Sequence, residues 1–371
     1  MRNGPAVYAW LVVAAQAVQA VLAVADPIES AGLATLPPVD LIMDELVSSS
    51  VPDARPGLFA CPEWSDYLVF DALFLQRNNV ATDRPLAEGS SVSANPGATL
   101  LSTSNLQFPV APGVRLLYGQ RNADHTGWEV GYLGVYGMWA DANVQGVNQI
   151  TVPGDIGNAV PGWLTADNVQ ATYASALNIV EGNLIWWNSR EGGTGGDDRF
   201  CRCTDLMVGA FWAGLEEQAS LNVTCCEGDP SSPYRVQSSS NLIGSQIGVR
   251  RRTDWRRFSL ESTAKVGISG NALAQSSGPI TATLAPGVVF RDPTSAYAGS
   301  VGLLSMLNLS AIYRLTDHWG LRVGYNLIWL DGLALAPDQW DFTNTAASGT
   351  SLVGGGSLFL HGANLGIERR W

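Results

Sequence analysis

The sequence predicts an all-β fold: an up-and-down antiparallel transmembrane β-barrel of about ten strands, with twelve as the alternative. Three observations predict it. The first is strict alternation near the C-terminus. Trp319, Leu321, Val323, Tyr325, Leu327 and Trp329 share one face, and Gly320, Arg322, Gly324 and Asn326 share the other. A half-buried soluble strand shows this pattern, and a strand with lipid outside and a polar lumen inside requires it. The second is charge. Only 15% of the 371 residues are charged, against about a quarter in soluble domains. The third is connection length, which alternates between long and short along the chain.

The N-terminus reads as an export signal over residues 1–25. Arg2 opens it, an apolar run from Ala6 to about Val24 follows, and Ala23-Val24-Ala25 suits cleavage before Asp26. A membrane anchor is the alternative for that run. No later stretch approaches the roughly 20 apolar residues of a membrane helix. Residues 26–62 are broken by Pro27, Pro37, Pro38, Pro52, Pro56 and Pro62 and read as an irregular periplasmic segment. Residues 63–371 read as the barrel.

Strands are expected at about 64–77, 112–121, 127–140, 170–188, 204–219, 236–251, 254–270, 300–315, 319–331 and 357–371. Most reach the roughly 9–11 residues that a tilted spanning strand needs. Long segments rich in Gly, Pro, Ser, Asn and Asp follow the odd-numbered strands, at 78–111, 141–169, 220–235, 271–299 and 332–356. Short turns follow strands two, six and eight, at 121–126, 251–254 and 314–318. The gap at 189–203 alone breaks the rule. Such alternation fits long extracellular loops and short periplasmic turns, with both termini in the periplasm. Aromatics such as Trp128, Trp186, Trp212, Trp255 and Trp319 suit the membrane–water interface.

Several short motifs then resemble a known family. Asn241-Leu-Ile-Gly-Ser-Gln-Ile-Gly248 and Lys265-Val-Gly-Ile-Ser-Gly-Asn271 look like two of its strands. Gly324–Leu330 followed by Ala334-Leu-Ala-Pro-Asp-Gln339 looks like its most recognisable block. His361–Glu368 with terminal Trp371 is similar to its closing strand, and Phe70–Arg77 to its opening one. Gly209–Glu217 resembles a middle strand, but Phe211 and Trp212 stand where the family has Arg and Tyr. The family is that of the outer-membrane β-barrel porins, beta barrel porin type 7. The resemblance covers roughly 64–371 and implies a barrel in the bacterial outer membrane. Fold alone does not fix function.

Charged and polar side chains on the predicted lumen faces are the candidate site. They are Arg115, Arg121, Glu129, Gln246, Arg250, Arg257, Glu261, Thr263, Lys265, Arg314, Arg322, Glu368 and Arg370. A charge facing lipid costs about 2–4 kcal/mol at midplane, so these should point inward. They would line a pore for small hydrophilic solutes or plug the barrel with salt bridges. The expectation is a passive porin-like channel, with a plugged structural or surface-interaction barrel as the alternative. Leu365, Ile367 and Trp371 resemble the signal read by the barrel-assembly machinery, with Arg369 departing from it. Outer-membrane lipid is the other expected partner. The net charge of −12 argues against nucleic acid.

No residue is expected to be catalytic, and the protein is not expected to be an enzyme. The three histidines are scattered, and only His361 with Ser357 offers a weak hydrolase pair. No cofactor or metal is expected. Cys201-x-Cys203 and Cys225-Cys226 lack the usual zinc spacing. Disulfides are the better reading, and a strand from Asp205 to Ala219 would hold those two pairs on opposite sides of the membrane. Cys61 with Cys201 or Cys203 stays open. Acids in the long loops (Asp155, Asp167, Glu227, Asp229, Asp331, Asp338 and Asp341) follow no Ca²⁺-loop consensus.

Overall fold

A computed structural model describes residues 66–371, except 80, 193–199, 226–231, 256, 283–284 and 286–287. The expected export signal and irregular segment, together with Cys61, Cys226, Glu227 and Asp229, lie outside the described residues. In chain order the strands are β1 (Asp66–Asn78), β2 (Pro85–Gly89), β3 (Thr99–Ser102), β4 (Val110–Arg121) and β5 (Thr126–Thr151). Next come β6 (Ala166–Gly192), β7 (Phe200–Thr224), β8 (Ser232–Trp255), β9 (Phe258–Ser277), β10 (Ile280–Thr281) and β11 (Val289–Arg291). The last are β12 (Thr294–Arg314), β13 (Trp319–Leu333) and β14 (Gly356–Arg370). No helix among the described residues is long and apolar enough to cross a membrane, which says nothing against crossing by strands.

Ten strands close an antiparallel up-and-down barrel: β1, β4 to β9, and β12 to β14, each beside its sequence neighbour. β1 pairs with β14, as in Leu73 opposite Asn364, and that pairing closes the ring. β2 and β3 extend the sheet from the far tip of β5. All ten predicted strands are present. The anomalous gap at 189–203 shrinks, because β6 continues to Gly192 and β7 begins at Phe200, paired with it.

The wall is uneven. β5 to β8 run 24 to 27 residues, and β9 and β12 run 20 and 21. β1, β4, β13 and β14 run only 12 to 15. The six long strands are contiguous in the ring. At about 3.4 Å per residue they far exceed an apolar band about 25 Å tall, even when tilted. Their loop-side halves therefore stand clear of the membrane as a head.

Side-chain patterning marks the boundary. On β8 the outward residues near the turns include Ile243 and Ile247, and farther out they are Arg235, Gln237, Ser239 and Asn241. The inward residues run the other way. Gln246, Arg250, Arg252 and Asp254 lie near the turns, and Tyr234, Val236 and Leu242 near the loops. β7 repeats this, with Leu206, Val208 and Trp212 outside below Glu216 and Gln218. Lipid outside needs an apolar exterior, and water outside needs a polar one. β5 keeps its inward face across the boundary by a bulge between Val135 and Met138, where Gly137 takes a positive φ of 67°.

Candidate functional site

The inward faces of the turn-side halves meet in a lattice of buried charges. Glu129 on β5 is its centre. It accepts hydrogen bonds from Tyr67 Oη at 2.7 Å and from Arg250, and Lys265 Nζ lies 3.4 Å away. Lys265 also binds Glu181 at 2.6 Å, and Gln246 donates to Glu181 at 2.7 Å and to Asn183 at 2.8 Å. Asp205 joins Arg121, at 2.6 Å, to Arg250, at 3.6 Å.

A second cluster lies across the lumen. Arg322 holds Glu261 and Glu368, each at 2.8 Å. Arg252 binds Glu368 at 2.9 Å and Asp254 at 2.8 Å. Arg314 reaches Asp254 at 2.6 Å, and Arg370 reaches Glu368 at 3.1 Å. Arg115 pairs with Asp71 and donates to Asn326 at 3.1 Å, linking to Asn308 and Asn364. Charges that cannot face lipid are turned inward and then matched, since an isolated buried charge costs several kcal/mol. A cavity of about 60 Å³ remains between the clusters, lined by Arg115, Lys265, Asn308, Arg322 and Thr263 among others. That is room for a few waters, not for a hydrated solute.

All the predicted lumen residues except Arg257 belong to these clusters or line this cavity. Arg257 is a correction. It lies exposed in the tight turn between β8 and β9, where its carbonyl accepts the Arg314 amide. The hairpin turns four residues later than the sequence suggests, with β8 ending at Trp255 and β9 starting at Phe258, so Arg252 and Asp254, read as turn residues, face the lumen instead. Tyr67, Asp71, Glu181, Asn183, Asp205 and Asn308 are further members that the sequence does not single out, whereas Asn326 and Asn364 lie on the polar faces that alternation marks. On β1 both faces are largely apolar, with Leu68, Phe70 and Phe74 outside and Val69, Leu73 and Leu75 inside. Alternation there gives no sign of which face carries Asp71.

The loop-side half of the lumen is filled differently. Residues 334–342, including a 3-10 turn at Ala336–Gln339, fold inward from the β13–β14 loop. Trp340 is buried, and its Nε1 donates to the Tyr234 carbonyl at 3.4 Å. Gln339 and Val353 exchange hydrogen bonds at 2.7 and 2.9 Å. Leu106, Ile156, Trp163, Leu215, Leu221, Val236 and Leu335 pack in the same apolar core. At its base Arg77 binds Glu217 at 2.6 Å between the rings of Phe108 and Tyr173. The Ala336 amide donates to Glu217 at 2.9 Å.

Leu365, Ile367 and Trp371 face outward, and Arg369 lies over the rings of Trp319 and Trp371. His361 bonds the Tyr325 hydroxyl at 2.8 Å. Cys201 and Cys225 are each disulfide-bonded, but not to one another, and Cys203 is a buried free thiol. Cys201 and Cys203 sit at the turn-side end of β7 and Cys225 just past the other, so the two clusters are a full strand apart.

No family model and no curated protein matches the chain. The porin-family resemblance therefore reduces to its coarser content, the outer-membrane β-barrel fold. Similar solved structures are such barrels. The outer membrane protease OmpT of Escherichia coli is 11% identical, with 84% of this chain and 98% of that chain covered and a TM-score of 0.45. The toluene transporter TodX of Pseudomonas putida is 8% identical, with 85% and 92% covered and a TM-score of 0.23. A FadL homologue of Pseudomonas aeruginosa is 10% identical, with 82% and 89% covered and a TM-score of 0.21. At these identities and TM-scores the likenesses carry no argument about activity. They do correct one expectation. A protease stands among barrels of this kind, so the sequence-based conclusion that the chain is not an enzyme does not hold, and its enzyme status is open.

Proposed function

We propose that this is an outer-membrane surface-interaction barrel whose lumen is closed and whose working part is the head above the membrane. The observation that carries the reading is the double filling of the lumen: paired charges in the lower half, an apolar core in the upper half. The lattice charges would then hold the wall rather than select solutes. The export signal at 1–25, periplasmic termini and a closing strand read by the assembly machinery through Leu365, Ile367 and Trp371 complete this reading. Passive passage of small hydrophilic solutes would require both fillings to move, and the cavity of about 60 Å³ offers no such route.

Planar-bilayer recording of the refolded full-length protein tests the proposal. The expected result is no ohmic conductance at any voltage the bilayer tolerates. Steady single-channel steps from protein that migrates as a folded barrel would overturn it and restore the channel.

A further inference from the structure

The head carries an open groove of about 540 Å³ on its outer surface. It follows two register rows across the long strands. One row runs Trp139, Ala174, Gln218, Gln237 and Ser276. The next runs Ala176, Glu216, Ser239, Ala274 and Tyr297. The middle of the floor is small or polar, and an indole and a phenol stand at its two ends. Both rings are well exposed, Trp139 at 49% and Tyr297 at 79%. The Gln237 amide donates to Gln218 at 3.3 Å, which pairs the two side chains and leaves the Gln218 NH2 group and the Gln237 carbonyl oxygen for a ligand.

The chemistry of this lining is specific. Aromatic faces stack on flat apolar surfaces such as the C–H face of a sugar ring. Amides, hydroxyls and a carboxylate match sugar hydroxyls. Among the described lining residues there is no Lys, Arg or His, and Glu216 adds a negative charge. An anionic ligand is therefore disfavoured.

The height of the groove suggests the source. Four residues nearer the turns on the same strands, the outward positions are Trp212 and Ile243, exposed at 38% and 69%. Four residues rise at most about 14 Å along a strand, and less once it tilts. The groove thus sits where the headgroups of the surrounding leaflet lie.

We infer that the groove binds the neutral saccharide headgroup of a glycolipid in the outer leaflet. This deepens the proposed function and rests on the head being its working part. Trp139 and Tyr297 would stack the sugars, and Gln218, Gln237 and Glu216 would fix their hydroxyls.

Native mass spectrometry of the full-length barrel, released from phosphatidylcholine nanodiscs doped with digalactosyl diacylglycerol, tests it. The wild type should retain the glycolipid preferentially over phosphatidylcholine. The Trp139→Ala/Tyr297→Ala double variant should lose at least tenfold of that retention while keeping heat-modifiable migration. A Gln218→Ala variant, which removes no ring, should weaken it less. Equal retention of both lipids, or no effect of the double variant, would overturn the site. Binding of free maltohexaose as strong as that of the glycolipid would overturn the membrane source. A barrel that conducts yet retains glycolipid would sink the closed-lumen reading and leave the groove standing.

Discussion

Along β7 the inward residues change from Cys203 and Asp205 near the turns to Leu215, Ala219, Leu221 and Val223 near the loops. The two halves of one lumen are thus filled by opposite chemistries, and the medium outside explains the difference. Around the lower half the exterior faces lipid, so apolar side chains gain little by turning inward and charges have nowhere else to go. The interior becomes a paired ionic lattice. Around the upper half the exterior faces water, so burying carbon is favourable at about 25 cal/mol per Å². The head is built like a soluble β-domain, with its core completed by the inturned Ala334–Phe342 segment. The same strands obey two solvents in succession, and the bulge at Gly137 keeps one face inward through the change.

The largest expected effect comes from breaking the lower half. Arg322→Leu removes the shared partner of Glu261 and Glu368, leaving two acids in the lumen with weaker compensation. Breaking a buried pair from one side costs about 3–5 kcal/mol. Urea unfolding in lipid vesicles should show a loss of that size. A loss below about 1 kcal/mol, the range of exposed ion pairs, would mean that water reaches the lattice, which would revive the open-pore reading.

A smaller effect locates the boundary itself. Ile243 and Gln237 both face outward on β8, six residues apart. If lipid meets one and water the other, Ile243→Arg should cost about 2–4 kcal/mol at midplane depth, less nearer the interface, and Gln237→Arg close to nothing. The same vesicle unfolding reads both. Equal costs would erase the distinction between spanning half and head.

The fold was legible because lipid enforces a strict rule. Trp319 to Trp329 must alternate if one side faces hydrocarbon, and all ten strands could be found that way. The head was less legible. In 141–151, Asp141, Asn143 and Gln145 face water, and the residues opposite them are only small or half-buried. That stretch reads as loop until the register with β6 is known. The site was half legible for a related reason. An Arg or Glu on a clean alternating strand, such as Arg322 or Glu368, announces the lumen face. Asp71 on β1 and Arg252 beside a turn carry no such local mark, because their direction depends on strand ends and neighbours that only the closed ring fixes.

The smallest effect concerns how the plug segment is held at its outer end. The Asp341 carboxylate accepts the Thr343 amide at 2.9 Å, the Thr343 hydroxyl at 2.6 Å and the Gly349 amide at 2.9 Å. Burial pushes this carboxyl up, but the bonds from Thr343 and Gly349, with Arg291 nearby, outweigh it and hold it below the usual range. A depressed folded value means that the clip contributes fully above the unfolded carboxylate value of about 3.9 and is lost as pH falls through the folded one. Hydrogen-exchange protection of residues 343–350 should therefore be constant from pH 7 down to about 4 and fall below that. Asp341→Asn, which removes the acceptor for Gly349, should lower protection there already at pH 7. The ionic lattice below should be untouched by that variant, because its acids are paired with their own arginines and with Lys265. Loss of protection in both halves together would mean that head and spanning wall unfold as one unit.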